Sequence, residues 1–544
     1  MQALLSVRRD TVVSDEGTAM RLEDGTVSYT PGDLRSFMSC QLDTLRKVDA
    51  LLGRPDVPLA QHPSGDPLGE RLGEVGLSHQ DQVLADYVSR YGRWRYGRAG
   101  GVAMLAGGSS SATHRSAADA VALLGSGPQV LSQIPVAAGR LYGAADFLVR
   151  VGERWQLVEV RLGLRVKDVY LAQIGALALG LLSRGVLLDA EALLVTGDMS
   201  QLPVPLVEAM NRAREVMAGF DRAIAARMAA TEPVSWDDDS VEACGWCPTC
   251  LHEMTAVRDV RLTAGLRMPD RALFRADGVR TIDELAATDE PPEGMDPHRF
   301  ATLRAQARLQ VRQMPPGTEL DPSLQLDPVF EVYDDGPLRV LPSPSPGDVF
   351  FDFESDPMWS EAGAVERGLH YLFGMWVTDS PQSYIAFWAH DRDEERKALR
   401  DFVHFVRARL RTHPELRIYH YGSYETMVLR EVARRFEYAE AEIDEWIERG
   451  VFVDLLPVVK GSIRTSQPGY GLKKIEPLYM GSELRNGSVV DGAASVAGYQ
   501  RFTELRAAGQ FGEAAAVLDG LADYNRYDCL STLRLRDWLL GLIP

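Results

Sequence analysis

Val349-Phe350-Phe351-Asp352-Phe353-Glu354-Ser355 sets two carboxylates two residues apart in an aromatic, β-prone run. A Pro/Ser/Gly stretch, Pro342 to Gly347, precedes it. In a strand, residues i and i+2 point to the same face, so Asp352 and Glu354 project together. The flanking phenylalanines mark a segment that is otherwise buried. Two like charges placed there are costly unless something neutralises them. A pair of divalent cations does so, and a carboxylate-held metal pair is a standard device for cutting phosphodiesters. The bland alternative is a strand with one exposed acidic edge.

Two further segments supply partners. Tyr419-His420-Tyr421-Gly422-Ser423-Tyr424-Glu425 follows a predicted strand and opens a helix. Tyr524-Asn525-Arg526-Tyr527-Asp528-Cys529 lies in the helical run Ala522 to Leu540. Tyr524 and Asp528 are four apart and share one helical face. A carboxylate with a phenol one turn away can bind a metal and position the attacking water. Strands are predicted at 349–353, 370–377, 383–389 and 416–421.

Together these segments resemble the DnaQ-like 3′–5′ exonucleases of the RNase H-like fold, in particular the YprB-type branch. Motifs of that family are D-x-E on the first strand, a central N-x-x-x-[F/Y]-D and a terminal Y-x-x-x-D. Here the central motif reads His420-x-x-x-Tyr424-Glu425, with Glu for the usual Asp and His for the usual Asn. The resemblance implies that Asp352, Glu354, Glu425 and Asp528 hold two Mg²⁺ or Mn²⁺ ions and that Tyr524 orients the water. Asp454, in Val453-Asp454-Leu455, is a looser candidate, expected to cap a helix. Lys473-Lys474, after Gly469-Tyr470-Gly471, is a candidate phosphate grip beside this site.

At 544 residues the chain is long enough for two to four domains. Its hydrophobic fraction of 45% and charged fraction of 25% are those of a soluble globular protein. No run approaches a membrane span, and Met1 to Asp10 lacks the apolar core of a signal peptide, so a cytoplasmic location is expected. A net charge of −19 argues against a protein that merely coats nucleic acid, which relies on Lys and Arg. It leaves room for a nuclease with a local basic groove. The chain contains no P-loop motif.

Three of the five cysteines form Cys244-x₂-Cys247-x₂-Cys250. Thiolates this close converge on one soft metal centre. Cys40 is the only other cysteine in this part of the chain. A 4Fe–4S cluster on four cysteines is the favoured reading. Zinc is the competitor, with Cys40 or His252 as fourth ligand.

One Cys near the start and three after a nuclease-sized core is the layout of the iron–sulfur RecB-family nucleases, whose core is the PD-(D/E)xK fold. Gly143-Ala144-Ala145-Asp146 resembles their G-x-x-D motif, with Asp146 as metal ligand. Glu159-Val160-Arg161 falls where E-x-K belongs, Gln173 matches the Q of Q-x-x-x-Y, and His79 matches the helical metal-binding His. The chain departs from the family at Arg161, which stands for the catalytic Lys, at Leu177, which stands for the Tyr, and in the last cysteine spacing. A guanidinium cannot shed a proton as an ammonium can, so both an active nuclease and a decayed one that binds DNA are open. Lys167 is a candidate replacement for the lysine. Arg90 to Arg98 interleaves Arg with aromatics, which suits either a nucleic-acid grip or a packed amphipathic segment.

The expected architecture is therefore α/β and multidomain. Residues 1–255 form a RecB-like PD-(D/E)xK domain, with helical patterns at Gln80–Tyr91, Ser116–Leu124 and Val204–Ala229. Its strand-like runs are Asp146–Val151, Trp155–Val160 and Ala192–Thr196. Residues 256–315 form a helical, helix-hairpin-helix-like connector, in which Thr281 and Glu284 are spaced as a capping box. Residues 316–347 form an extended Pro-rich linker, and 348–544 the RNase H-like exonuclease domain. The implied activity is a metal-dependent DNA nuclease acting on single-stranded or branched DNA. The alternatives are a binding scaffold for a helicase partner and an RNA-processing exonuclease. Some relatives continue into a superfamily I helicase, so this chain is either a shorter member or part of a longer one, and a helicase partner or a helicase domain outside it is open.

Overall fold

The computed structural model describes residues 20–54, 57, 67–95, 98–105, 123–315, 327–361, 367–380, 383–484, 489 and 491–543. The chain forms two compact units: Met1–Ser64 with Leu72–Glu253, and Gly65–Arg71 with Met254–Pro544.

In the first unit, β1 (Arg21–Glu23) and β2 (Thr26–Ser28) form a hairpin. A six-stranded sheet follows in sequential order: β3 (Val102–Met104), β4 (Val130–Ala138), β5 (Leu141–Val151), β6 (Arg154–Val160), β7 (Glu191–Val195) and β8 (Gln201–Pro205). β4 to β6 run as an antiparallel meander. β7 is parallel to β6, which requires a crossover, and helix Asp168–Ser183 supplies it. This helix packs on helix Leu206–Ala229. The approach is so close that a Cβ on Gly175 would come within 2.0 Å of the Ala209 carbonyl oxygen. The expected strands fall within β5, β6 and β7 (Thr196 lies one residue past β7), and the Gln80–Tyr91 pattern lies in helix Pro67–Tyr91. The Ser116–Leu124 pattern lies almost wholly outside the described residues.

The second unit begins with helices Met268–Ala276, Ile282–Ala287 and Pro297–Gln313 around a small core of their own. Thr281 and Glu284 make the reciprocal capping box. The next segment differs from the expected extended linker. Residues 316–326 lie outside the described residues, but 327–341 include a paired strand and a short helix. β9 (Phe330–Val332) is a paired strand, helix Gly336–Arg339 buries Leu338, and Phe330 meets Trp538 edge-on at 5.1 Å. These apolar side chains between the prolines dock the segment, which proline content alone does not reveal.

A five-stranded sheet then forms from β10 (Val349–Ser360), β11 (Arg367–Val377), β12 (Tyr384–Trp388), β13 (Ile418–His420) and β14 (Phe452–Asp454). Its order is β12-β11-β10-β13-β14. The first three strands are antiparallel, and β13 and β14 join in parallel. β15 (Ile463–Thr465) pairs with β9. Central β10 alternates strictly over its first half. Val349, Phe351 and Phe353 enter one core, with helix Arg392–Thr412. Phe350 enters another, with the long helix Phe511–Gly541. Asp352 and Glu354 share the face of Phe350 and so point towards that long helix. A buried ion pair, Arg536 to Asp348 at 2.8 Å, ties the helix to the start of β10.

Candidate active site and metal centre

Three carboxylates converge on the buried face of β10. Ligand atoms of Asp352, Glu354 and Asp528 all lie within 4.8 Å of one another. The strand contributes two and helix Phe511–Gly541 the third. The two strand carboxylates are each positioned by a neutral group. The Asn525 side-chain amide donates to Asp352 Oδ2 at 2.9 Å, and the Ser495 hydroxyl donates to Glu354 Oε2 at 2.5 Å. Tyr371 approaches Ser495 Oγ at 2.6 Å, and since that serine's proton is committed to Glu354, the phenol is the donor. Asn525 also accepts from the Tyr384 hydroxyl at 2.9 Å.

The electrostatics favour positive charge at this site. Burial, then the charge of Asp528, push Glu354 up to about 8. Burial, then Asp528, Glu354 and Glu425 in turn, hold Asp352 well above the usual carboxylate range. The donors are all hard oxygens, which suits Mg²⁺ or Mn²⁺ over softer metals.

Glu425 lies outside this group of three. It is buried and sits 3.2 Å from Nδ1 of His420, which also lies 2.7 Å from the Gly422 carbonyl. A carbonyl only accepts, so Nδ1 carries the proton. Tyr424 turns aside to Ser355, at 2.7 Å. Asp454 caps helix Leu455–Ser462 through the Leu456 amide at 2.9 Å and also accepts from the Gly422 amide at 2.8 Å. Tyr524 is buried, and its hydroxyl accepts from Lys473 Nζ at 2.6 Å. Lys473, Lys474 and Lys460 line a cleft of about 600 Å³ together with Asp352, Asp528, Tyr421 and Tyr470.

Residues 349–540 match the RNase_H superfamily model. That span runs from the first residue of β10 into the last turn of helix Phe511–Gly541 and contains all three converging carboxylates. This region has an RNase H-like fold, a fold that implies a nucleic-acid substrate, nuclease-type chemistry and divalent metals. No curated protein matches the chain.

Sequence reasoning passed over Asn525, Ser495 and Gly374 around the RNase H-like site. Asn525 had a signal: it is three residues before Asp528, a polar side chain on a helical face that must be buried. Gly374 pairs with Asp352 across β10 and β11, and a Cβ there would lie 1.5 Å from Asn525 Oδ1. Ser495 carried no local signal.

In the first unit, the residues matched to the PD-(D/E)xK motifs also meet. Arg161 donates to Asp146 Oδ2 at 3.0 Å and to Glu159 Oε2 at 2.8 Å. Gln80 donates to Asp146 Oδ1 at 2.5 Å, and the Val160 amide to Asp146 Oδ2 at 2.9 Å. The guanidinium thus takes the position between the carboxylates that a cation would fill. Burial and the charge of Asp146 push Glu159 up to about 8, with Arg161 opposing. His79 is buried and belongs to none of the ligand groups found among the described residues. Gln173 donates to the Pro31 carbonyl at 3.1 Å, Leu177 is in the core, and Lys167 lies over the Tyr170 ring at 5.8 Å.

Cys40, Cys244, Cys247 and Cys250 bring their sulfurs within 4.8 Å of one another, and His252 is not among them. These four can bind a metal. Of the Arg90–Arg98 strip, Tyr96 and Gly97 lie outside the described residues, while Trp94 packs on the first unit's core and Arg90 pairs with Asp86. In the helical connector, the Arg280 and Thr281 amides donate to Glu284 at 2.7 and 2.9 Å. No helix among the described residues is long and apolar enough to cross a membrane.

Proposed function

We propose that this protein is a metal-dependent nuclease that hydrolyses phosphodiesters in its RNase H-like region, acting on DNA from a 3′ end in DNA processing. The observation that supports this most directly is the convergence of Asp352, Glu354 and Asp528 beside a lysine-lined cleft. These three carboxylates would hold Mg²⁺ or Mn²⁺, with Glu425 as the neighbouring charge. Bound there, such ions supply Lewis-acid stabilisation of the phosphoryl oxygens and a lowered pKa for the attacking water.

The protein's own groups do the remaining work. Asn525 and Ser495 fix the two strand carboxylates in orientation. Lys473, Lys474 and Lys460 neutralise substrate phosphates at the cleft, giving local attraction on a chain of net charge −19. Tyr524 and Lys473 act as one hydrogen-bonded unit at its edge.

For the first unit the same logic favours binding over cutting. Arg161 bridges Asp146 and Glu159 and offsets one of their two charges, which lowers that cluster's demand for a metal.

Digestion of 3′- and 5′-labelled DNA and RNA with Mg²⁺ or Mn²⁺ tests the proposal. Wild type should shorten DNA from the 3′ end, and Asp352→Ala should not. Cleavage unchanged by Asp352→Ala removes the RNase H-like site from the account. Preference for RNA would move the assignment to RNA processing, and no cleavage of any polymer would favour a binding scaffold.

A further inference from the structure

The four cysteines define a metal site whose geometry differs from the iron–sulfur cluster that the family resemblance implies. Cys40 and Cys250 have their sulfurs 3.6 Å apart, Cys244 and Cys250 3.7 Å, and Cys247 and Cys40 3.8 Å. A single ion with zinc's metal–sulfur bond of about 2.3 Å sets its sulfurs about 3.8 Å apart, the edge of a tetrahedron of that radius. A 4Fe–4S cluster gives each thiolate its own iron and fills the centre with eight atoms. Sulfurs that all lie within 4.8 Å of one another enclose room for one ion and not for that cube.

The backbone around the sulfurs is built for charge. The Trp246 and Cys247 amides donate to Cys244 Sγ at 3.5 and 3.3 Å, and the Cys250 amide donates to Cys247 Sγ at 3.5 Å. Gly245, at φ +73°, makes the tight turn that aims these amides inward. A second layer braces the two contributing segments. Thr249 donates to Asp43 at 2.6 Å, and Arg46 pairs with Glu253 at 2.9 Å while only 4% exposed.

We propose that Cys40, Cys244, Cys247 and Cys250 bind one tetrahedral Zn²⁺, which staples the segment around Cys40 to the end of the first unit. The ion closes a loop between residues 210 apart in sequence and is redox-silent. The site therefore acts as a structural clasp whose ion carries no electrons. This assignment stands apart from the proposed hydrolysis, because metal content is read without substrate.

The test is elemental analysis of the full chain, purified anaerobically without chelator. An Asp352→Asn background keeps the carboxylate cluster from adding to the count. One zinc per chain, no acid-labile sulfide and a colourless protein are expected, with the zinc lost in Cys250→Ser. Iron with matching labile sulfide, or a folded chain that retains no metal, overturns the proposal. Replacing zinc by Co²⁺ in the same chain gives a readout that needs no cysteine variant. Intense visible bands with sulfur-to-cobalt charge transfer are expected, and a weak octahedral spectrum overturns the tetrahedral thiolate site.

Discussion

Asp352 and Glu354 lie side by side under a helix that brings Asp528 to meet them, so ionising either costs more than ionising a surface carboxyl. The consequence for stability has a definite sign. Glu354 rises from 4.5 to about 8 on folding. Between those values the folded chain keeps a proton that the unfolded chain has lost. The stability this gives is fully present below the lower value and is lost as pH rises through the higher one. Metal-free protein should therefore lose thermal stability between pH 4.5 and 8. Glu159 contributes in the same window, so the comparison is with Glu354→Gln, whose melting temperature should vary less with pH. Saturating Mg²⁺ should flatten the wild-type profile as well. A Glu354→Gln profile as steep as wild type would contradict the burial argument. Asn525→Ala removes the amide that orients Asp352 and accepts from Tyr384, and a loss of about 10–100-fold in cleavage rate is expected.

β10, β11 and helix Phe511–Gly541 make the site together. Gly374 faces Asp352 from β11, and its missing Cβ is the space that Asn525 fills. Gly374→Ala should displace Asn525 and destabilise the unit by about 1–3 kcal/mol, the usual cost of overpacking a tight core. Because the clash is with one side chain, Asn525→Ala in the same chain should recover most of that stability without recovering cleavage. Denaturant midpoints of the two single variants and the double variant check this. Additive losses would show that the glycine serves something other than Asn525. The Arg536–Asp348 pair acts at the same level by fixing where the helix lies on β10. Its burial on both sides makes breaking it expensive.

Across the whole molecule, two acidic clusters have met opposite fates. In the RNase H-like region the carboxylates face one another with neutral supports, whereas in the first unit Arg161 lies between Asp146 and Glu159. Glu159→Gln should leave cleavage by the full chain unchanged, while Arg161→Ala should destabilise the first unit by about 3–5 kcal/mol by stranding buried charge. A nuclease assay and a thermal melt of each variant separate these effects. Loss of cleavage in Glu159→Gln would place the chemistry in the first unit instead. Much of this was legible in the chain. The alternation through Phe351, Asp352, Phe353 and Glu354 determined that the carboxylates of β10 share a face, because strand geometry has a period of two. The four-residue spacing of Tyr524 and Asp528 put them on one helical side for the same kind of reason. Spacing within a segment fixes local direction, and that much the sequence determined by itself. Which segments meet was decided only by tertiary packing. It set Asp528 beside Asp352 and left Glu425 with His420, closed Arg161 onto its two acids, docked Phe330 against Trp538, and gathered four sulfurs at single-ion spacing. Those outcomes depend on side chains far apart in sequence competing for the same buried volume, which no local pattern encodes.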